Sequence, residues 1–177
     1  LALGKRYRKN IVTGLDSKIA YCKKQGIDFV IGGDEYYDRT RPRAWSKLKM
    51  IEKLIDENEY EWIFMSDADV IIKNMDISIL NILKEYETND EVIIMVKDAW
   101  ENINSGNMFI KCCEKSKEII KSAWNRTNRI YHKWWENAAL VDEYAEKKEF
   151  IKVEEDNRKF NSYDIDFLIT IDFDKKF

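Results

Sequence analysis

A single histidine, His132, leaves little material for a histidine-rich metal centre or a Ser–His–Asp triad. Proline is as scarce: Pro42 is alone, and it marks residues 34–43 as the irregular loop of the chain. The three cysteines, Cys22, Cys112 and Cys113, are odd in number and two are adjacent. That argues against a disulfide framework and for a reducing compartment. No apolar run approaches the roughly 20 residues that cross a bilayer. No signal-peptide pattern is visible, although the chain opens abruptly on LALG. A basic excess is lacking too: the formal net charge of −3 supplies no global field for nucleic acid. No Gly-rich or Gly-x-x-x-x-Gly-Lys loop is present to cradle a phosphate, which disfavours phosphoryl-transfer machinery.

What remains is the composition of a folded protein: 45% hydrophobic and 36% charged residues, with 13% aromatics. A length of 177 residues suits one domain with a sizeable core, and no repeat or linker divides it. LALG reads as the end of a strand. A helix is expected over residues 11–24 with Ile11, Leu15, Ile19 and Cys22 on one face, stopped by Gly26. Residues 27–31 read as a second strand. A helix over 45–56 buries Trp45, Leu48, Ile51, Leu54 and Ile55, and another over 77–86 has Asp76 as its cap. Strands are expected at 92–96, 108–112, 150–153 and 167–171, with helices at 114–124 and 134–145 between them. Alternating elements of this kind imply an α/β domain, its central sheet mostly parallel and flanked by helices. In such a sheet the ligand sits beyond the carboxyl ends of the strands.

The segment 60–74, YEWIFMSDADVIIKN, lies at such an end. Asp67 and Asp69 separate two apolar runs. A buried ionised carboxylate costs several kcal/mol unless it is paired or metal-bound. In an extended chain residues i and i+2 face the same way, so both carboxylates can address one cavity while Ala68 points away. The pattern indicates a hard-metal site. Asp-x-Asp recurs at Asp164–Asp166 and Asp172–Asp174, but only the first pair has apolar runs on both sides.

Four further clusters join it: RPRAWSK at 41–47, Asn104-Ser105-Gly106 before a strand, the tryptophans Trp45, Trp134 and Trp135, and WENAAL at 135–140. Singly they read as a basic loop, a turn, core or rim packing, and helix capping. In order, the blocks AWSKLKMIEKLI, EWIFMSDADVIIKN, NINSGNMFIK, WWENAAL and FNSYDIDFLIT resemble nucleotide-sugar glycosyltransferases of the GT-A (Rossmann-like) fold. They are most similar to the retaining alpha-galactosyl-, xylosyl- and mannosyltransferase family of xyloglucan xylosyltransferases and fungal galactomannan galactosyltransferases. The likeness spans about Tyr37 to Thr170.

The resemblance implies a nucleotide-sugar donor, a glycan or glycoconjugate acceptor, and Mn²⁺ or Mg²⁺ held by Asp67 and Asp69. It implies a donor site of Ala2, Gly4, Tyr7, Arg43, Lys47, Asp67, Ala68, Asp69, Asn104 and Gly106. Its catalytic group would comprise Glu136, Asn137 and Asn104. Two departures stand out. Asn137 occupies a position where glutamine is usual. Thr170 stands where the family carries a histidine as third metal ligand, with Asp172 as a nearby oxygen. The resemblance also implies either a soluble, cytoplasmic form or a catalytic domain excised from a Golgi-anchored parent. A non-catalytic sugar-binding module on the same fold remains the alternative.

Overall fold

The computed structural model describes residues 12–161 and, as backbone, 168–170. The expected strand at LALG lies outside the described residues, as do Ala2, Gly4, Tyr7 and Asp172. In chain order the elements are α1 (Val12–Gln25), α2 (Ser46–Glu57), β1 (Trp62–Ser66), β2 (Val70–Ile72), α3 (Ile79–Leu83), β3 (Ile93–Lys97) and β4 (Ile103–Lys111). After these come α4 (Glu114–Trp124), α5 (Trp135–Glu146), β5 (Ile151–Glu154) and β6 (Leu168–Thr170). The architecture is mixed α/β, a four-stranded sheet in the order β1-β4-β3-β5 with helices against it.

β1, β3 and β5 run in one direction, and β4 runs against them between β1 and β3. Two of the three ladders are therefore antiparallel, which corrects the expectation of parallel pairing within a sheet whose strands mostly do share a direction. The cause is the link between β3 and β4. Residues 98–102 are far too few for a parallel crossover, which needs a dozen or more. Asp98 closes that link, its Oδ1 accepting from the amides of Trp100 (2.9 Å) and Asn102 (3.0 Å). β2 and β6 form a separate antiparallel ribbon in which Val70 faces Thr170.

The period-2 alternation of strand side chains gives each face of the sheet its own core. Ile63 and Met65 of β1, Met108 and Ile110 of β4, and Ile93 and Met95 of β3 join Leu48, Ile51, Ile120, Ala139 and Leu140 from α2, α4 and α5. The intervening residues Phe109, Ile94 and Val96 pack with Tyr21, Val70, Leu83, Tyr86 and Phe160 on the other face. Fully burying one such aliphatic or aromatic side chain contributes about 1.5–3 kcal/mol. Ring contacts tie the second core together, with Phe64, Phe109 and Phe160 centroids 4.9–6.3 Å apart.

Three expectations are corrected. The face of α1 that turns inward carries Gly14, Lys18 and Tyr21, while Ile19 is half exposed. Apolar spacing misled because Gly14 and Lys18 on this stripe meet backbone carbonyls, while Tyr21 packs into the second core. Residues 27–31 form no ladder: a cavity of about 340 Å³ lies between them and the edge of β1, lined by Phe29, Ile31, Ile63 and Met65 among others. Asp76 does not cap α3, which begins three residues later after Ser78. It is exposed and paired with Lys24 at 2.5 Å.

Candidate functional site

The site is assembled where β1 ends, where β4 begins, and where α2 and α5 present their amino-terminal turns. The Asp67–Asp69 segment leaves β1 as a turn closed by the Val70 amide donating to the Asp67 carbonyl (3.1 Å). The Asp67 amide donates to the Gly106 carbonyl at 2.7 Å, so the turn is tied to β4. Ala68 is buried against Leu15.

Lys47, in the first turn of α2, is the centre of the arrangement. Its ammonium lies 2.7 Å from Asp67 Oδ1 and 3.0 Å from Glu136 Oε1, and it donates to the Ser105 carbonyl at 3.3 Å. Lys47 and Glu136 are both about 4% exposed, whereas the Asp67 side chain is about a third exposed. Glu136 Oε2 is buried and has no hydrogen-bond partner among the described residues. A buried carboxylate oxygen without a donor is costly, about 1–3 kcal/mol or more for a charged group. It therefore marks a place where something polar or cationic is accommodated.

Asn104 and Gly106 complete this wall. Asn104 Oδ1 accepts from the Gly106 amide at 2.7 Å. A β-carbon at position 106 would lie 2.8 Å from Asn104 Oδ1 and 3.3 Å from Asp67 Oδ2. A side chain there would displace the Asn104 amide from its bond to Gly106. Asn137 Nδ2 donates to the Ile103 carbonyl at 3.0 Å, and its Oδ1 is buried without a partner. Trp135, just before Glu136, adopts φ 46°, an uncommon conformation for a bulky residue, as α5 starts.

The electrostatics follow from burial and proximity. Burial raises the Asp69 carboxyl above its ordinary range, and the like charge of Asp67 raises it further. Burial alone would lower the Lys47 ammonium, but the carboxylates of Asp67 and Glu136 outweigh it, so Lys47 is held charged. Two carboxylates that repel each other in a partly dry site are relieved by a cation, and their hard oxygens suit Mg²⁺ or Mn²⁺. The pair fits such an ion. Among the described residues no three His, Cys, Asp or Glu side chains converge as a fuller ligand set.

Arg43 is not brought to this cluster. It lies 3.6 Å from Asp34 and over the Tyr37 ring. Its neighbour Arg41 is taken up by the fold, its guanidinium 4.0 Å above Trp124 and bonded to the Trp124 carbonyl (2.6 Å). Thr170 is opposite Val70 in the β2–β6 register, one residue beyond Asp69. Sequence reasoning missed Lys18. The residue is 5% exposed, and its ammonium donates to the carbonyls of Asp67 (2.9 Å) and Val70 (2.5 Å). Burial lowers it to about 8, against the opposing pull of Asp69 and Asp67. A lysine on the inward stripe of α1, three residues before Tyr21, was the only available signal.

The chain is similar to known glycosyltransferases in sequence and in structure. The sequence pattern of the galactosyl transferase GMA12/MNN10 family matches residues 5–88, a little under half of the chain. Glycosyltransferase 6 of Arabidopsis thaliana is 26% identical over 136 residues, 67% of this chain. The chain spans 31% of that relative's length. In structure it is similar to a glycosyltransferase involved in the glycosylation of the major capsid of PBCV-1. The TM-score is 0.66 at 16% identity, over 90% of this chain and 85% of the other. Together these likenesses support a glycosyltransferase-like fold.

Proposed function

We propose that this chain carries the donor site of a metal-dependent, retaining glycosyltransferase that moves a sugar from a UDP-hexose or UDP-pentose to a hydroxyl of a glycan acceptor. The observation that carries the reading is the buried Lys47 ammonium lying between Asp67 and Glu136, with Asn104 and Gly106 on the adjoining wall. Positive charge, a metal-competent carboxylate pair and a buried acid are thus gathered at one strand end.

Asp67 and Asp69 would hold Mn²⁺ or Mg²⁺, which when bound supplies positive charge against the diphosphate leaving group. Lys47, kept charged by its carboxylate neighbours, adds fixed charge on the same side. The bare α-carbon of Gly106 lets a sugar approach the backbone. Glu136, with one oxygen unpartnered, faces the positive charge that develops at the anomeric carbon as its bond to the diphosphate breaks. The electron pair of that bond leaves with the nucleoside diphosphate. The acceptor oxygen bonds to the same face of the anomeric carbon, and its proton passes to the departing phosphate oxygen. Asn137, anchored to the Ile103 carbonyl, orients the start of α5 beneath the sugar.

The test is release of the nucleoside diphosphate from UDP-sugars in the presence of Mn²⁺. Slow release that Asp67→Asn eliminates is expected. Absence of release from UDP-hexoses, UDP-pentoses and GDP-mannose alike, with any divalent ion, overturns the proposal. Calorimetry adds a second arm: with two protein carboxylates as ligands, Mn²⁺ alone should bind weakly and UDP should strengthen it. Tight Mn²⁺ binding without nucleotide contradicts that ligand set. That no third His, Cys, Asp or Glu joins the aspartate pair among the described residues favours one competing reading, a sugar-nucleotide-binding module without turnover. Donor binding with no release under any condition would establish it.

A further inference from the structure

Helix α1 turns a polar stripe toward the Asp67–Asp69 turn. Gly14, Ser17, Lys18 and Tyr21 share one helical face at spacings of three, four and seven, and each reaches the backbone of the segment 67–79. A β-carbon on Gly14 would sit 2.5 Å from the Ala68 carbonyl oxygen and 3.0 Å from that of Val70, so helix and turn are in direct backbone contact. Ser17 Oγ accepts from the Ile72 amide at 3.1 Å and donates to the Gly14 carbonyl at 2.8 Å. Lys18 Nζ spans the turn, donating to the carbonyls of Asp67 and Val70. Tyr21 Oη donates to the Ile77 carbonyl (2.8 Å) and accepts from the Ile79 amide (2.7 Å).

The arrangement needs a physical reason. A lysine almost wholly removed from water loses its hydration, and an apolar residue would fill the same volume at lower cost. The Asp67 and Val70 carbonyls bracket Ala68 and Asp69, and one ammonium satisfies both at once. Lys18 thereby fixes the separation of the two ends of the turn from which both carboxylates project.

We propose that Lys18, assisted by Ser17 and the close approach at Gly14, is a positioning residue that locks the backbone of the Asp67–Asp69 turn. Its contribution to donor binding rests on the transferase reading above; its effect on the turn does not. A lysine serving stability alone would, when removed, loosen the domain as a whole. A positioning lysine loosens the turn first and weakens whatever the two carboxylates hold.

Hydrogen exchange read by mass spectrometry on the intact chain separates the two. In Lys18→Met, amides at 67–72 should exchange on the order of tenfold faster, because two carbonyls lose a charged donor. Peptides covering α2 and β3 should be unchanged. Ser17→Ala should accelerate the same peptide a few-fold, and it keeps the test open if Lys18→Met does not fold. Lys18→Arg, which retains a charged donor, should recover part of the protection. The affinity for UDP with Mn²⁺ should fall roughly tenfold in Lys18→Met and partly return in Lys18→Arg. Unchanged exchange at 67–72, uniform acceleration across the chain, or an unaltered affinity beside intact wild-type binding each overturns the proposal. If the wild type binds no UDP with Mn²⁺ while the local exchange effect is present, the lock stands and the transferase reading falls.

Discussion

Replacing Lys47 by methionine tests the centre of the site. The substitution keeps most of the length of the side chain and removes the charge that two carboxylates share. The Glu136 side chain is about 5% exposed and has one oxygen already without a partner, so the loss of Lys47 leaves it buried and uncompensated. Breaking a buried ion pair from one side costs about 3–5 kcal/mol. The Asp67 contact adds little to that figure, because more than a third of its side chain reaches water and solvent screens it. At roughly 2–4 °C per kcal/mol for a chain of this size, the melting temperature should fall by about 10 °C. The double variant Lys47→Met/Glu136→Gln removes the stranded charge and should regain most of the loss. Thermal unfolding at neutral pH, followed by circular dichroism, reads both numbers. A single variant that melts within about 2 °C of wild type, or a double variant no better than the single, refutes the account of Lys47 as a buried counter-charge.

Asp69→Asn should leave the melting temperature unchanged or slightly raised, because burial already pushes that carboxyl toward its neutral form. Donor hydrolysis in Asp67→Asn and Asp69→Asn should nonetheless vanish, and retained hydrolysis in either would remove that aspartate from the ligand set. Gly106→Ala drives its methyl into Asn104 Oδ1 and against Asp67 Oδ2, which should cost about 1 kcal/mol through the lost Asn104–Gly106 bond. Its effect on UDP affinity should be larger than its effect on denaturant midpoint; the reverse order would make Gly106 a packing residue only. The hydrogen bond from Arg129 holds the Asp142 carboxyl below its ordinary value. A depressed folded-state value means stability present above the unfolded carboxylate range and lost as pH falls through the folded one. Acid titration of Arg129→Ala should therefore show a shallower loss of stability below about pH 4 than wild type, and an identical acid limb would contradict the pairing.

Much of this site was readable because its parts are local. Asp67 and Asp69 declare themselves by sitting between WIFM and VII, where a charge must have a reason. Asn104 and Gly106 declare themselves by preceding an apolar strand with a residue that has no side chain. What brings them to Lys47 and Glu136 is tertiary: the short β3–β4 link that reverses β4 sets Gly106 beside Asp67, and no periodicity in the chain encodes that pairing. The same reversal explains why strand positions were legible and ladder polarity was not. Arg43 and Lys47 are both basic and close in sequence, yet only Lys47 falls on the inward face of α2. Arg43 precedes the helix and turns to Asp34. The inward stripe of α1 was missed for a related reason: a search for apolar spacing cannot find a face whose partner is backbone carbonyls.

The charge inventory of the site gives the proposed chemistry a further constraint. Asp67, Asp69 and Glu136 carry three formal negative charges, and Lys47 and Lys18 carry two positive ones. The remainder is one negative charge, spread over the buried Lys47–Glu136 pair and the partly exposed aspartates. A divalent ion would turn that remainder to one positive charge, and an anionic diphosphate would then be attracted rather than repelled. Lys47 already occupies one oxygen of Asp67, so an ion approaching alone meets a carboxylate that is half engaged and an ammonium within 3 Å of it. Like-charge repulsion at that range is strong when the dielectric is low. The diphosphate lowers this cost by bringing negative charge to both cations together. On the proposed reading, ordered or concerted loading of ion and nucleotide is expected, with neither binding well without the other.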